Sequence, residues 1–334
     1  MLGPSQCGGL ERLPAYSGAT VPAFDRLPAR GGIPQTYESA GAHSWLAKAQ
    51  RAMFKRIALA ALLCASAGCS ENRTHATAGP HHRVVSLIPS MTEDLFAVGA
   101  GSSVIAVDRF SGDPSAGGVP AAASLPVVGD FASIDAEKIL TLHPDLIVGI
   151  PSQARLVAPL QRAGIDVALL RDDTLDDVYH DIERIGALTG NGTRASTLVT
   201  ALQARTRALR ASVHFRKRPR AFIALTAMPI YTAGDGSYIA TLIALAGAVN
   251  APGNIGSAYA PYGPEALLRL QPDAILAPSD AHLDAVLNRE PWRSLDAVRA
   301  KHVFFFPPAV LEHPGPRYNE GLQWLIERLT PLAR

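Results

Sequence analysis

The chain has 334 residues, of which 48% are hydrophobic and 18% are charged. This composition excludes disorder over most of the length, because enough apolar surface exists to offset the entropy of ordering, and at roughly 150 residues per domain it suggests about two domains. The formal net charge of +2 lacks the basic excess of nucleic-acid-binding domains, so we expect no nucleic-acid partner.

The three cysteines, Cys7, Cys64 and Cys69, all lie in the first part of the chain. The residues after Cys69 therefore cannot supply a thiol nucleophile, a cysteine-ligated metal site or a disulfide among themselves. We expect the fold of this larger part to depend on packing alone.

The segment MFKRIALAALLCASAGC, from Met53 to Cys69, is typical of a secretory signal. Two cations precede an apolar run that is too short to span a bilayer, and small residues follow it. We interpret residues 53–68 as a signal peptide and residues 69–80 as a flexible tether. Because signal peptides stand at the start of translated chains, we interpret residues 1–52 as a mis-annotated or disordered extension ahead of a start at Met53.

Two cleavage sites compete within this segment. The run from Ser66 to Cys69 resembles a bacterial lipobox, in which the cysteine is lipidated, whereas Ala65-Ser66-Ala67 fits ordinary signal peptidase. We favour lipidation of Cys69. Either site places the mature protein in the periplasm, and the favoured one anchors it to the membrane.

Residues 81–190 alternate short apolar runs with amphipathic stretches, which predicts a first α/β lobe built on a mainly parallel sheet. The predicted strands are residues 83–88, 104–107, 145–148 and 167–170, and the predicted helices are residues 92–98, 134–142, 155–163 and 175–188. Asp172, Asp173, Asp176 and Asp177 surround Thr174 at the start of the last helix, where carboxylates favour the helix dipole. We interpret them as capping residues, and we interpret His81 and His82 as solvated side chains in preference to metal ligands.

The region 191–216 joins this lobe to the rest of the chain. Thr193 to His214 contains neither Gly nor Pro, and its apolar residues recur at i, i+3, i+4 and i+7. This periodicity predicts one long amphipathic helix.

Residues 217–334 repeat the α/β pattern and form a second predicted lobe. The predicted strands are residues 221–225, 274–276 and 303–306, and the predicted helices are residues 238–246, 264–270 and 318–329. Residues 136–149 align without gaps to residues 264–277, with six of 14 positions identical. An offset of 128 residues indicates a duplicated lobe and excludes a short-repeat solenoid.

The sequence contains no recognisable catalytic motif. A nucleophile elbow, a zinc-protease motif, a phosphate-binding loop and a dinucleotide-binding glycine turn are all absent. We therefore predict that the protein is not an enzyme, and the alternative that we keep is an enzyme built on the same two-lobed fold.

Five segments resemble the cobalamin and iron-chelate binding proteins of bacterial ABC importers, the "helical backbone metal receptor" type of periplasmic binding protein. The resemblance covers residues 82–331, and its segments are RVVSLIPSMTEDLFAVGAG, DAEKILTLHPDLIVG, LIALAGAVNAPG, GPEALLRLQPDAILA and HPGPRYNEGLQWL. It implies an α/β fold of two Rossmann-like lobes joined by a single long α-helix, with the ligand cleft between the lobes. A single rigid connecting helix implies limited hinge closure.

The resemblance implies that a metal chelate binds in this cleft, with a cobalamin or other corrinoid favoured and haem or a ferric siderophore as the alternative. The implied ligand-binding residues are Phe110, Phe131, Tyr231, Tyr259, Glu312 and His313. Family members often have Trp at the positions of Phe131 and Tyr259, and this departure keeps the alternative open. Tyr231, Tyr259 and His313 could also ligate iron, and Arg317 could either meet an anionic siderophore or pair with a structural carboxylate.

The resemblance also implies the partners. Glu137 and Glu265 occupy the same position of the repeated unit, and glutamates there are expected to dock on the two subunits of an ABC permease dimer, which works with its ATPase subunits. We expect the protein to act as a monomer, to need no cofactor and to hold no metal site of its own, since the metal arrives within the chelate.

Overall fold

The computed structural model describes residues 79–113 and 116–333. The predicted signal peptide, Cys69, most of the tether and residues 1–52 lie outside the described residues. No helix within the described residues is long and apolar enough to cross a membrane.

The first lobe contains a four-stranded sheet in which every pairing is parallel. Its strands are β1 (Val84–Ser86), β2 (Val104–Ala106), β3 (Leu146–Gly149) and β4 (Asp166–Leu169), and its helices are α1 (Pro89–Ala97), α2 (Ala136–Thr141), α3 (Ala154–Arg162) and α4 (Leu175–Leu188). The strand order is β2-β1-β3-β4. Helix α1 begins three residues before the predicted start because Pro89, expected to form a turn, occupies the first helical position, where its missing N–H has no partner to lose.

The long helix predicted between the lobes is α5 (Gly192–Ala211). It ends before the predicted limit of His214, since the N–H groups of Ser212 and Val213 bond three residues back and tighten the last turn. The Ser212 hydroxyl also donates to the Leu209 carbonyl at 2.6 Å, which offers that carbonyl a partner outside the helical ladder.

The second lobe contains an equivalent sheet and a smaller antiparallel one. Its strands are β5 (Arg220–Ile223), β6 (Thr226–Ala227), β7 (Ile230–Ala233), β8 (Val249–Asn250), β9 (Tyr259–Pro261), β10 (Ala274–Pro278) and β11 (Val303–Phe306), and its helices are α6 (Tyr238–Leu245), α7 (Pro264–Leu270), α8 (Asp296–Arg299), α9 (Pro308–Leu311) and α10 (Tyr318–Leu329). The larger sheet has the order β11-β10-β5-β8 with parallel pairing, and β6, β7 and β9 form the antiparallel sheet.

The sequence repeat is also a structural repeat. The connection from α2 to β3 passes through His143 at φ 46°, and the connection from α7 to β10 passes through Gln271, 128 residues later, at φ 43°. Because both connections use the same left-handed turn, the two strands leave their helices in the same way. The expected α/β fold with two related lobes is confirmed.

The hydrophobic core extends across both lobes. One cluster of buried side chains runs from the first lobe, through α5, into the second lobe, and includes Val84, Met91, Ile182, Val199, Ala221, Tyr238 and Leu322. Two further clusters each lie within a single lobe. The shared cluster favours a fixed arrangement of the lobes, because opening them would expose apolar surface.

His81 departs from its predicted solvated state. Its side chain is buried, with ring nitrogens 3.6 Å from carboxylate oxygens of Asp145 and of Asp166. Asp145 immediately precedes β3 and Asp166 is the first residue of β4, so His81 connects the start of the described chain to the amino-terminal edge of the sheet. Within residues 79–113 and 116–333, no three His, Cys, Asp or Glu side chains converge as a set of metal ligands.

Candidate ligand-binding cleft

A cavity of about 200 Å³ lies where the two lobes meet. The first lobe supplies most of its lining through the loops that follow β1, β2, β3 and β4, and the second lobe supplies the segment after α9. The lining residues are Leu87, Ile88, Pro89, Ser90, Asp108, Phe110, Phe131, Ile150, Asp172, Glu312, His313 and Pro314. A position beyond the carboxyl ends of parallel strands is where open α/β sheets bind ligands.

A series of hydrogen bonds between buried polar side chains holds Phe110 in the loop after β2. Asp108 accepts hydrogen bonds from the backbone N–H of Phe110 at 2.8 Å and from the Ser111 hydroxyl. The Ser111 and Thr92 hydroxyl oxygens are 2.7 Å apart, and Thr92 donates to Ser86 on β1. This chain of contacts ties the loop to α1 and β1, so the ring of Phe110, which is 39% exposed, has a fixed base.

Phe131 stands at the tip of a tight turn. Asp130 accepts hydrogen bonds from the backbone N–H groups of Ala132 and Ser133, and Gly129 begins the turn at φ 143°. A Cβ at Gly129 would lie 2.2 Å from the Ser133 carbonyl oxygen, so only glycine fits there. The turn leaves the Phe131 ring 56% exposed at the mouth of the cavity.

Gln153, a residue that the sequence did not indicate, connects three of the cavity loops. Its side chain is buried, its amide donates to the carbonyls of Leu87 at 3.3 Å and Phe131 at 3.4 Å, and its Oε1 accepts from the N–H of Ile150 at 3.2 Å. Because all three of these residues line the cavity, Gln153 positions the lining without being part of it.

An ion pair between a buried carboxylate and a partly exposed guanidinium joins the two lobes. Arg317 donates to both carboxylate oxygens of Glu93 on α1, at 2.6 and 3.1 Å, and to the Gly117 carbonyl at 2.6 Å. His313 Nδ1 lies 3.2 Å from the same carboxylate, whose side chain is only 3% exposed. Of the two roles considered for Arg317, the structure therefore shows the pairing with a structural carboxylate.

The cleft residues implied by the resemblance separate into two groups. Phe110, Phe131, Glu312 and His313 line the cavity, whereas the two tyrosines stand on the antiparallel sheet of the second lobe. Tyr259 begins β9 and faces the carboxylates of the cleft: burial raises the pKa of its phenol, and Asp172, Asp173 and Glu312 raise it further. Tyr231, on β7, is 36% exposed and does not line the cavity.

Two carboxyl groups of the lining titrate near neutrality. Burial raises the pKa of Glu312 to about 7, with a contribution from Asp280, and burial together with Asp173 raises the pKa of Asp172 to about 6. Asp172 thus departs from its predicted role as a capping residue. The capping of α4 belongs to Thr174 and Asp177, whose side chains each accept from the other's backbone N–H.

Asp108 and Asp172 were not among the expected cleft residues. Both follow the end of a parallel strand at the same edge of the sheet, and this shared position is the signal that could have indicated them. Gln153 offered no such signal, because its role depends on three loops that are distant in sequence.

The two glutamates of the repeated unit occupy matching places. Glu137 is the second residue of α2 and Glu265 the second residue of α7, and both are exposed. Their role in docking stays a prediction.

Comparison with known proteins identifies relatives across most of the chain. The family model described as "Periplasmic binding protein" matches residues 84–310. The chain is 30% identical over 250 residues to a vitamin B12-binding protein of Vibrio cholerae, covering 73% of this chain and 87% of the relative. It is 28% identical over 258 residues to an uncharacterized ABC transporter substrate-binding lipoprotein of Bacillus subtilis, covering 75% of this chain and 80% of the relative.

A solved structure agrees with these relatives. The periplasmic heme-binding protein RhuT from Roseiflexus superimposes with a TM-score of 0.68 at 25% identity, over 76% of this chain and 99% of that protein. Since the family model matches more than half of the chain and the two-lobed architecture is shared, the chain belongs to the periplasmic binding protein family.

Proposed function

We propose that this protein, as the substrate-binding component of an ABC importer, captures a metal chelate between its lobes and delivers it to a membrane permease, with a corrinoid as the favoured ligand. Family membership carries the substrate-binding role, and members of this kind are transport components without enzymatic activity. The choice of a corrinoid is supported by the vitamin B12-binding relative.

The observation that carries the proposal is the pair of exposed phenyl rings at the cavity. Phe110 and Phe131 are 39% and 56% exposed, although each stands on a loop in which an aspartate side chain accepts hydrogen bonds from backbone N–H groups. Rigid, exposed aromatic rings suit contact with a broad, flat macrocycle, which gains apolar burial without requiring the protein to reorganise. Because a corrinoid is larger than the cavity of about 200 Å³, we expect much of it to lie between the lobe rims.

The alternative ligand, haem or a ferric siderophore, is favoured by a different observation. His313 lines the cavity and Tyr259 faces the same carboxylates, so a nitrogen and an oxygen donor from the second lobe stand close to the cleft. The heme-binding structural relative supports this alternative. Arg317, however, is engaged by Glu93 and is not free to meet an anionic siderophore.

Two further proposals concern permease docking and membrane anchoring. Glu137 and Glu265 dock on the two permease subunits, and Cys69 carries a lipid that keeps the protein at the membrane, as the name of the Bacillus lipoprotein supports. Mass spectrometry of membrane-extracted protein tests the lipid: a diacylated or triacylated Cys69 is expected, and a soluble species beginning at Gly68 would contradict it.

Equilibrium titration with cyanocobalamin, haemin and ferric siderophores tests the choice of ligand. We expect cyanocobalamin to bind, and we expect Phe131→Ala or Tyr259→Ala to weaken binding by about 1–3 kcal/mol each, the range for loss of a buried aromatic contact. Phe305→Ala is the matched control, because Phe305 is 38% exposed on β11 and does not line the cavity. Binding of haemin or a ferric siderophore without cyanocobalamin would select the alternative, and binding of none of them would contradict the proposed function.

A further inference from the structure

The charged side chains that line the cavity are acidic. Three carboxyl groups line it, those of Asp108, Asp172 and Glu312, and within the described part of the chain no Lys or Arg does so. The one lining side chain that gains a positive charge on protonation is His313, and its Nδ1 already faces Glu93.

The arginines nearest to these loops are each engaged by a carboxylate outside the lining. Arg109 lies 4.0 Å from Asp130, Arg171 lies 3.1 Å from Asp173, and Arg317 is held by Glu93. Arg109 also lies over the Phe110 ring, 4.9 Å from its centroid, but none of the three arginines forms an ion pair with a lining carboxylate.

Two of the lining carboxyl groups have no ion pair among the described residues. Asp172 and Glu312 line the cavity from opposite lobes, and both carboxylates raise the pKa of the Tyr259 phenol. Burial raises the pKa of both groups, and other acids raise it further: Asp173 and Asp177 for Asp172, and Asp280 for Glu312. Asp108 differs, because backbone N–H groups and Ser111 donate to it.

From this arrangement we infer that the cleft selects its chelate by charge: it accepts neutral or cationic chelates whose rims offer N–H donors, and it disfavours chelates that carry carboxylates. The inference rests on the proposed function and narrows its ligand class. Amide groups on a ligand would donate to the free oxygens of Asp172 and Glu312, whereas a ligand carboxylate would repel them. At a separation of about 8 Å and an effective dielectric constant of about 20, one such repulsion weakens binding by more than tenfold.

Two matched pairs of ligands test this inference at pH 8 and low salt. The first pair is cyanocobalamin and its monocarboxylic acid, in which one propionamide has been hydrolysed, so that shape is kept and one negative charge is added. The second pair is ferrioxamine B, which is cationic, and its N-succinyl derivative, which is anionic. We expect the anionic member of whichever pair binds to bind at least tenfold more weakly.

Substitution of Asp172 and Glu312 tests whether these two carboxylates cause the difference in affinity within a ligand pair. Asp172→Asn combined with Glu312→Gln should bring the two members of the pair to within about threefold of each other. Glu183→Gln is the control, because Glu183 is exposed on α4, outside the cavity lining, and its substitution removes the same charge from the first lobe. A melting curve for each variant verifies that it is folded.

The outcomes separate the inference from the proposed function. Equal affinity for both members of a pair would overturn charge selection and leave the receptor function standing. An unchanged ratio in the folded double variant would overturn the assignment to Asp172 and Glu312. Failure of every chelate to bind would overturn the proposed function and the inference with it.

Discussion

The same hydrogen-bonded support holds the first strand of each lobe. In the first lobe, Asp145 accepts from the backbone N–H of Arg83 at 3.0 Å, and the Arg83 side chain donates to the Leu142 carbonyl at the end of α2. In the second lobe, Asp273 accepts from the N–H of Arg220 at 2.8 Å, and the Arg220 side chain donates to the Leu270 carbonyl at the end of α7. The helix–turn–strand unit is therefore a scaffold that was kept in both lobes.

The lobes differ where their strands lead toward the cleft. In the first lobe, the segments that follow β1 to β4 supply nine of the twelve cavity residues. In the second lobe, β5 is followed by the antiparallel strands β6 and β7, which the first lobe lacks among its described residues, and the cavity receives Glu312, His313 and Pro314 from the segment after α9. The cavity lining thus comes from segments outside the repeated unit, and the repeat supplies the support beneath them.

The largest effect is expected on transport, when the charge of both glutamates of the repeated unit is reversed. Glu137→Arg combined with Glu265→Arg should reduce transport in vesicles containing the permease to background, since two anchors on a two-fold permease would then repel their partners. Ligand affinity and melting temperature should stay nearly unchanged, because both side chains are exposed and each favours its helix dipole by only about 0.3–1 kcal/mol.

Charge-matched variants elsewhere serve as the control for this experiment. Glu183→Arg and Glu327→Arg reverse one exposed carboxylate in each lobe, on α4 and α10. Normal transport by the Glu137/Glu265 double variant would show that these glutamates serve only their helices.

A smaller effect is expected on the pH dependence of stability, because the first lobe buries carboxyl groups between α1 and α4. Asp94 is fully buried, neither of its side-chain oxygens has a hydrogen-bond partner, and burial followed by Asp181 raises its pKa well above the ordinary value. Burial also raises the pKa of Asp181 to about 8, with contributions from Asp172 and Asp177. Since the folded chain keeps protons that the unfolded chain releases above about pH 4, stability should fall as the pH rises from about 4 to about 8.

Asp181→Asn should flatten this dependence and raise the melting temperature at pH 8, with little change at pH 4. The slope that one such proton contributes is at most about 1.4 kcal/mol per pH unit. Thermal melts across this range, with Glu183→Gln on the same helix as the control, provide the measurement. A variant with the same pH dependence as the parent chain would show that Asp181 does not hold its proton in the folded state.

The sequence predicted the repeated scaffold well because its signals are local. Helices α4, α7 and α10 and strand β11 have their predicted bounds, since caps, prolines and apolar periods near each end determine them. The antiparallel strands β6, β7 and β9 were missed, because their pairing joins Tyr231 to Thr226 and to Pro261 and leaves short runs with no clear alternation.

The candidate site was less accessible from the sequence. Resemblance indicated Phe110, Phe131, Glu312 and His313, which the structure places around one cavity. A structural carboxylate was one of the two expected partners of Arg317, but nothing in the sequence identified it as Glu93, 224 positions away. Burial decides such partnerships, and burial depends on how the lobes pack. The same holds for Asp172, which local spacing assigned to a helix cap.

A crystal structure of the protein grown with cyanocobalamin tests the central claim most directly. We expect the corrin ring between the lobes, in contact with Phe110 and Phe131 on one side and with the His313 segment on the other, and amide groups of the ligand within hydrogen-bond distance of Asp172 or Glu312. A corrinoid bound elsewhere, or an empty cleft at saturating ligand, would contradict the account.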